Sequence, residues 1–163
     1  MVRRPYVFRT MTAADLPKIR RWLAAPHVAQ WWGDPDQQFV LVSEDLSHPS
    51  MQQFVVELGD RPFAYVQCYD PAEWPDHGFG ALPNGTRGID QFIGEPELVD
   101  CGHGSAFIRT FTDDLLQSGT PRVLTDPRPG NTRAVRAYQK AGFRRDRRVS
   151  TPDGGALLMA REQ

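Results

Sequence analysis

Gly85-Thr86-Arg87-Gly88-Ile89-Asp90-Gln91-Phe92-Ile93-Gly94, followed by Leu98-Val99-Asp100-Cys101-Gly102-His103-Gly104-Ser105-Ala106-Phe107-Ile108, decides the fold. The first run reads as a strand and the second as a Gly-rich turn into a helix. Thr125-Asp126-Pro127-Arg128-Pro129-Gly130-Asn131 closes a short strand with a Pro/Gly/Asn turn, and Ala137-Tyr138-Gln139-Lys140-Ala141-Gly142-Phe143 ends a second helix. Each turn feeds a helix N-terminus, where unpaired N–H groups and the dipole favour an anion.

The remaining chain supplies more elements of both kinds. Tyr6-Val7-Phe8-Arg9 reads as a strand, and Thr12-Ala13-Ala14-Asp15 as an N-cap with an acid at its third position. Leu16, Ile19 and Leu23 then share a helical face that Pro26 ends, and residues 28–32 form a short helix broken by Gly33-Asp34-Pro35. Residues 39–46 read as helical. The runs 51–58 and 62–69 flank Gly59-Asp60-Arg61 as a hairpin. A Pro/Gly-rich loop with Trp74, His77 and Phe79 covers residues 70–85. Beyond it, residues 86–93 form a strand, Phe107, Phe111 and Leu115 line a helix, and residues 123–125 form a strand. Ala134, Ala137, Tyr138 and Ala141 line the last helix, with Gly142 as its C-cap; residues 143–150 and 155–161 flank the turn Thr151-Pro152-Asp153-Gly154. The pattern predicts one α/β (α+β) domain over residues 1–163, a mixed central sheet of about six to seven strands flanked by helices, with no linker.

A length of 163 residues with 40% hydrophobic and 24% charged residues suits one globular core. No apolar run approaches membrane-spanning length, and Met1-Val2-Arg3-Arg4-Pro5 lacks the apolar stretch of a signal peptide, so a cytoplasmic protein is expected. Cys68 and Cys101 have no ligand-spaced partners, which predicts neither disulfide framework nor metal site. The net charge of −1 hides segregation. Residues 44–100 carry eleven acids against two arginines, net −9, and the rest nine acids against seventeen Lys+Arg, net +8. Such a chain can hold a cationic substrate beside a phosphate-bearing one, or simply present solvated faces of opposite sign. Arg144-Arg145-Asp146-Arg147-Arg148 lacks interleaved aromatics, which disfavours nucleic acid as a partner and leaves it near phosphates or on a solvated strand.

Several residues are candidates for chemistry. Gly102-His103-Gly104-Ser105 lets backbone approach a ligand and exposes successive N–H groups. Asn131 can cap the last helix. Tyr138 shares its face with Asn131 and Ala134, a position where a half-buried tyrosine fits the core. Asp90 is a lone acid in an otherwise apolar strand, either turned to solvent or functional. Asp126 before Pro127 and Asp153 before Gly154 fit turn chemistry. Of Trp31 and Trp32, adjacent on a helix, one is expected in the core and one as a cleft wall. His103 points away from any anion at the glycines, and Cys101 has no base beside it.

Gly88-Ile89-Asp90-Gln91, Thr125-Asp126-Pro127 with Pro129 and Asn131, Tyr138 with Lys140-Ala141-Gly142-Phe143, and Thr151-Pro152-Asp153-Gly154 resemble the GCN5-related N-acetyltransferase superfamily. Within it the chain is most similar to the aminoglycoside 6'-N-acetyltransferases. The similarity is dense over residues 87–154 and thin before them, apart from Trp31-Trp32-Gly33. The resemblance implies a transferase that moves acetyl from acetyl-CoA to a primary amine of a small cationic molecule, the aminoglycoside 6'-amine being the nearest, and hence antibiotic resistance. It implies coenzyme A binding by Phe92, Ile93, Gly102, His103, Gly104, Ser105, Asn131, Ala134 and Tyr138. It implies catalysis by Asp90 and Tyr138, and substrate binding by Trp32, Asp90, Asp126 and Asp153. The branch usually carries a basic residue before the first loop glycine; here Leu98, Val99, Asp100 and Cys101 stand there, so Asp100 is expected to point away. Acceptors other than aminoglycosides (a siderophore amine, a polyamine, a protein lysine) and a non-catalytic acyl-CoA sensor are the rival readings. The oligomeric state stays open between monomer and homodimer.

Overall fold

Local patterning and turn chemistry set the element order in the computed structural model, which describes residues 5–163. The N-terminal stretch Met1-Val2-Arg3-Arg4, read above for the lack of an apolar leader, lies outside the described residues. The elements are β1 (Tyr6–Thr10), α1 (Leu16–Ala24), α2 (Pro26–Trp32), α3 (Pro35–Asp45), β2 (Met51–Leu58), β3 (Arg61–Tyr69), β4 (Arg87–Ile93), α4 (His103–Gln117), β5 (Arg122–Thr125), α5 (Thr132–Lys140), β6 (Arg144–Thr151) and β7 (Gly154–Glu162). The strands form one seven-stranded mixed sheet in the order β1-β2-β3-β4-β5-β7-β6. The β1–β2, β5–β7 and β6–β7 pairs are antiparallel and β4–β5 is parallel. No described helix is long and apolar enough to cross a membrane. The contacts resolve into two compact units, Met1–Gln67 with Gln91–Cys101, and Cys68–Asp90 with Gly102–Gln163.

In the first unit, the expected cap at Thr12 forms. The Asp15 carboxylate accepts from Thr12 N–H at 2.9 Å and from the Arg9 guanidinium at 2.7 and 3.0 Å. The chain then passes through one 3-10 turn, Ala13–Asp15, into α1. Ile19 and Leu23 are buried as read from sequence; Trp22, one turn on from Ile19 and next to Leu23, widens the buried face. Pro26 opens α2 at its first turn, where a missing N–H costs nothing, and Gly33 closes it at φ 94. A two-residue loop, Gly59-Asp60, joins β2 to β3, with Gly59 at φ 61. Buried Gln53 donates to Val42 O at 2.9 Å and to Tyr65 Oη at 3.1 Å, tying α3 to the sheet.

In the second unit, the close of α5 explains the Tyr-x-x-x-Gly-Phe spacing physically. Gly142 N–H donates to Gln139 O at 3.1 Å and Phe143 N–H to Tyr138 O at 3.0 Å, with Gly142 at φ 107. This is a Schellman C-terminus. Its customary apolar contact is the Tyr138–Phe143 ring pair, centroids 5.3 Å apart at 66°. Two helix faces are corrected. On α4 the buried stripe is Phe107, Ile108, Phe111, Thr112 and Leu116, with Leu115 only half-buried. On α5 the fully buried residues are Val135 and Tyr138, with Ala134 and Ala137 half-buried. The α4 shift follows the 3.6-residue turn, which drifts off a strict spacing of four. The 70–85 loop contains two 3-10 turns, and its Phe79 is core, packed with Leu124, Leu158 and Ala160. His77 stacks on Phe79 at 4.7 Å, its Nδ1 accepts from Phe79 N–H at 2.7 Å, and Arg147 donates to Phe79 O.

Candidate functional site

The parallel register fixes the centre of the second unit's site. Arg87 pairs with Val123 and Gly88 with Leu124; continuing that register two residues sets Asp90 level with Asp126. β5 stops at Thr125 while β4 runs on to Ile93. Carboxyl-terminal strand ends in open parallel sheets are where ligands bind. Asp126 and Asp90 share a hydrogen bond, and Asp153, on the β6–β7 turn, lies close enough for its charge to act on Asp126. The three acids that the sequence singled out at separate positions therefore converge.

Asp126 responds strongly to this company. Burial, then the charges of Asp90 and Asp153, then the Asp90 hydrogen bond push its carboxyl up to about 8, against a small opposing pull from its own N–H. Asp153 also serves its turn, as read from sequence: its N–H donates to Thr151 Oγ1 at 3.2 Å, and that hydroxyl donates to Gly154 O at 2.8 Å.

Tyr69, at the end of β3, joins this cluster. Its hydroxyl is held well above the ordinary phenol range by burial first, then by the charges of Asp90 and Asp126, with Tyr138 and Cys68 contributing. A Cβ on Gly88 would stand 2.4 Å from Tyr69 Cζ and 2.7 Å from its Oη, so only glycine admits the ring here. Trp74 packs edge-on against Tyr69, centroids 5.5 Å apart. Burial pushes the Cys68 thiol up to about 12, with Asp90 adding to the effect and Arg87 opposing it. Arg87 faces Asp70 at 3.7 Å. The carboxylates among these groups gather negative charge that suits an ammonium.

Gly102 takes the left-handed conformation, φ 86, at the N-cap of α4. The helical ladder starts with Ala106 N–H to Gly102 O at 3.4 Å, and Ser105 Oγ bonds the same carbonyl at 3.4 Å. His103, Gly104 and Ser105 thus form the open first turn of a 15-residue helix, geometry suited to phosphate oxygens. Asp100 is exposed and also left-handed, φ 60. Asn131 caps α5 as expected, its Oδ1 accepting from Ala134 N–H at 3.2 Å. Tyr138, seven residues on, is buried near Tyr69.

Trp32, Phe92 and Ile93 belong to the first unit. Phe92 is buried and stacks on Tyr65 at 5.3 Å, with Trp32 edge-on at 5.1 Å and Trp22 edge-on at 6.2 Å. Trp31 and Trp32 are both half-buried, so the expected division into one core ring and one wall is less sharp than predicted. The Ile93 carbonyl bonds His27 Nε2 at 2.8 Å.

Tyr69, Arg87 and His27 were missed by sequence reasoning. Tyr69 did leave a signal: a glycine inside a strand, Gly88, marks close approach by another group. His27 left none, because its partner is a backbone carbonyl 66 residues away.

Comparison with known proteins bears on the family and the fold. Residues 11–151 match the acetyltransferase (GNAT) domain. The chain is 33% identical over 160 residues to the aminoglycoside N(6')-acetyltransferase type 1 of Klebsiella pneumoniae, covering 93% of this chain and 80% of that protein. It is 41% identical over 76 residues to a kanamycin resistance protein of Rhizobium radiobacter, covering 46% and 70% respectively. Its fold is similar to that of AAC(6')-Ib in complex with ribostamycin and coenzyme A, at a TM-score of 0.88 and 31% identity over 97% of this chain and 93% of the other. The chain belongs to the acetyltransferase (GNAT) family.

Proposed function

We propose that this protein is an acetyl-CoA-dependent N-acetyltransferase acting on the 6'-amine of aminoglycosides. The observation that carries the reading is the convergence of Asp90, Asp126 and Asp153 beside Tyr69 and Tyr138. A polycationic aminosugar needs several carboxylates within one site, and its reacting ammonium must lose a proton before it attacks. Relatives named for aminoglycoside acetylation, and the AAC(6')-Ib complex with ribostamycin and coenzyme A, support the same reading.

Acetyl-CoA is the co-substrate. Its phosphates suit the Gly102-His103-Gly104-Ser105 turn, where the α4 dipole and N–H groups favour anions. Asn131 and Ala134 present the start of α5 to the pantetheine arm. The Asp90–Asp126 pair orients the ammonium and accepts its proton directly or through water. Tyr138 donates a hydrogen bond or proton to the departing thiolate, lowering the barrier to collapse of the tetrahedral intermediate. The amine attacks the thioester carbonyl directly; no acetyl-cysteine forms. We further propose that residues 1–163 act as one domain, in the cytoplasm, as a monomer or homodimer, without nucleic acid.

The test is thiol release from acetyl-CoA with kanamycin, spermidine or a lysine peptide as acceptor. Turnover of kanamycin well above the others is expected, and its loss in Asp90→Asn with coenzyme A affinity retained. Preferred turnover of spermidine or the peptide would overturn the substrate assignment, and full activity of Asp90→Asn would overturn the site.

A further inference from the structure

The arginines of β6 border a second concavity, away from the carboxylates. A groove of about 200 Å³ lies between α5 and the β6–β7 hairpin, with Thr132, Arg136, Gln139, Arg145, Arg148 and Leu157 among its lining residues. On α5, Thr132, Arg136 and Gln139 follow spacings of four and three and share one face.

The two strand arginines reach the groove through a defect in the ladder. Residues three apart in a regular strand point to opposite faces. Here Arg145 pairs with Met159 and Arg148 with Leu157, because the register shifts between Arg145 and Arg147. Met159 and Leu157 are two apart, so the bulge at Asp146 turns Arg145 and Arg148 to one side. Arg144 and Arg147, opposite Ala160 and Leu158, turn to the other, where Arg147 meets Phe79 O. The nearby carboxylate, Asp146, is engaged by Arg122 at 3.1 Å and Arg147 at 3.3 Å. Among the described residues, no ion pair takes up Arg136, Arg145 or Arg148.

Three guanidinium groups aimed at one concavity, with no carboxylate in its lining, make an anion site. A guanidinium fork matches phosphate oxygens two at a time. The volume is below that of pockets for drug-sized ligands, about 300–1,000 Å³. It suits one or two phosphoryl groups. We propose that this groove binds the phosphoryl group of a small phosphorylated anion, at a site separate from the α4 turn assigned to coenzyme A.

The shared chemistry could come from a free phosphorylated molecule or from coenzyme A itself, so the test is run on protein saturated with coenzyme A. Inorganic pyrophosphate is titrated by calorimetry. One saturable site is expected, weakened about tenfold in Arg145→Gln and again in Arg148→Gln, the scale of one charge-assisted hydrogen bond. Both residues are exposed, and unchanged circular dichroism would verify that the variants fold. Arg144→Gln removes the same charge on the opposite face and should leave binding unchanged. Equal weakening in all three variants would mean a diffuse field and overturn the proposal, as would no weakening in any. Pyrophosphate binding abolished by coenzyme A, with weaker coenzyme A binding in Arg145→Gln and Arg148→Gln, would assign the groove to the co-substrate and also overturn it. The result does not depend on which amine is acetylated.

Discussion

Asp126 and Asp90 stand level across the end of the β4–β5 pair and share a hydrogen bond, so one proton serves two carboxyl groups. A polycation entering such a site displaces that proton. At about pH 7, binding of kanamycin should release a substantial fraction of a proton, measured as the dependence of calorimetric heat on buffer ionisation enthalpy. Release from this pair should fade above about pH 8, where Asp126 is already ionised. Asp126→Asn should abolish the effect at either pH; retained release would mean that another group titrates.

The same pair sets a pH dependence of stability. The native state holds a proton on Asp126 up to about 8, whereas the unfolded chain gives it up near the ordinary carboxylate value of about 3.9. Between these values the native state binds more protons, so stability falls as pH rises through the window. The urea midpoint without ligand should decline from about pH 5 to about pH 8, and Asp126→Asn should flatten that decline.

Tyr138→Phe keeps the ring that packs on Phe143 in the helix terminus, so its Tm should stay close to wild type. If the hydroxyl serves the leaving thiolate, kcat should drop by the order of 10²-fold with a smaller change in KM. Unchanged kcat would leave Tyr138 as a packing residue alone.

Gly88→Ala places a methyl group inside the Tyr69 ring contact. Displacing that ring should cost about 1–3 kcal/mol, the range for overpacking. It should also weaken amine binding more than coenzyme A binding, because Tyr69 adjoins the carboxylates. Equal weakening of both ligands would point to general loss of folding.

Asp15→Ala removes the acid that accepts from both Arg9 and Thr12. The Arg9 hydrogen bond is the main cause holding the Asp15 carboxyl below its usual value, so its contribution is present above about pH 4 and lost as pH falls further. The substitution should cost about 1–3 kcal/mol near neutrality, and the stability gap to wild type should narrow below about pH 4. A gap constant with pH would remove the ion pair as its cause.

Sequence alone carried the elements well, because caps, glycines and helical faces are local. Thr12, Asn131 and Gly142 each do what their residue type and spacing predicted. The acids at 90, 126 and 153 were visible as candidates, but their meeting depends on strand register and turn placement, which no local window contains. The place of Tyr69 beside the acids and the core role of Phe79 were not legible, for different reasons. The only sign of Tyr69 is a glycine on another strand, Gly88, and Phe79 sits in a loop whose core packing is made with β5 and β7. The grouping of Arg145 with Arg148 needed the bulge at Asp146, since plain alternation separates them.

Neither compact unit is a continuous stretch of chain: the first closes with Gln91–Cys101, after the chain has departed at Gln67 and begun the second. On the ribosome, the first unit must therefore wait for its last strand segment. At roughly 5–20 residues per second the interval is on the order of seconds. During that time β1 to β3 and the helices between them lack Phe92, around which Trp22, Trp32 and Tyr65 gather. A nascent chain paused in the 70–85 loop would expose these rings, a surface that chaperones hold and proteases test.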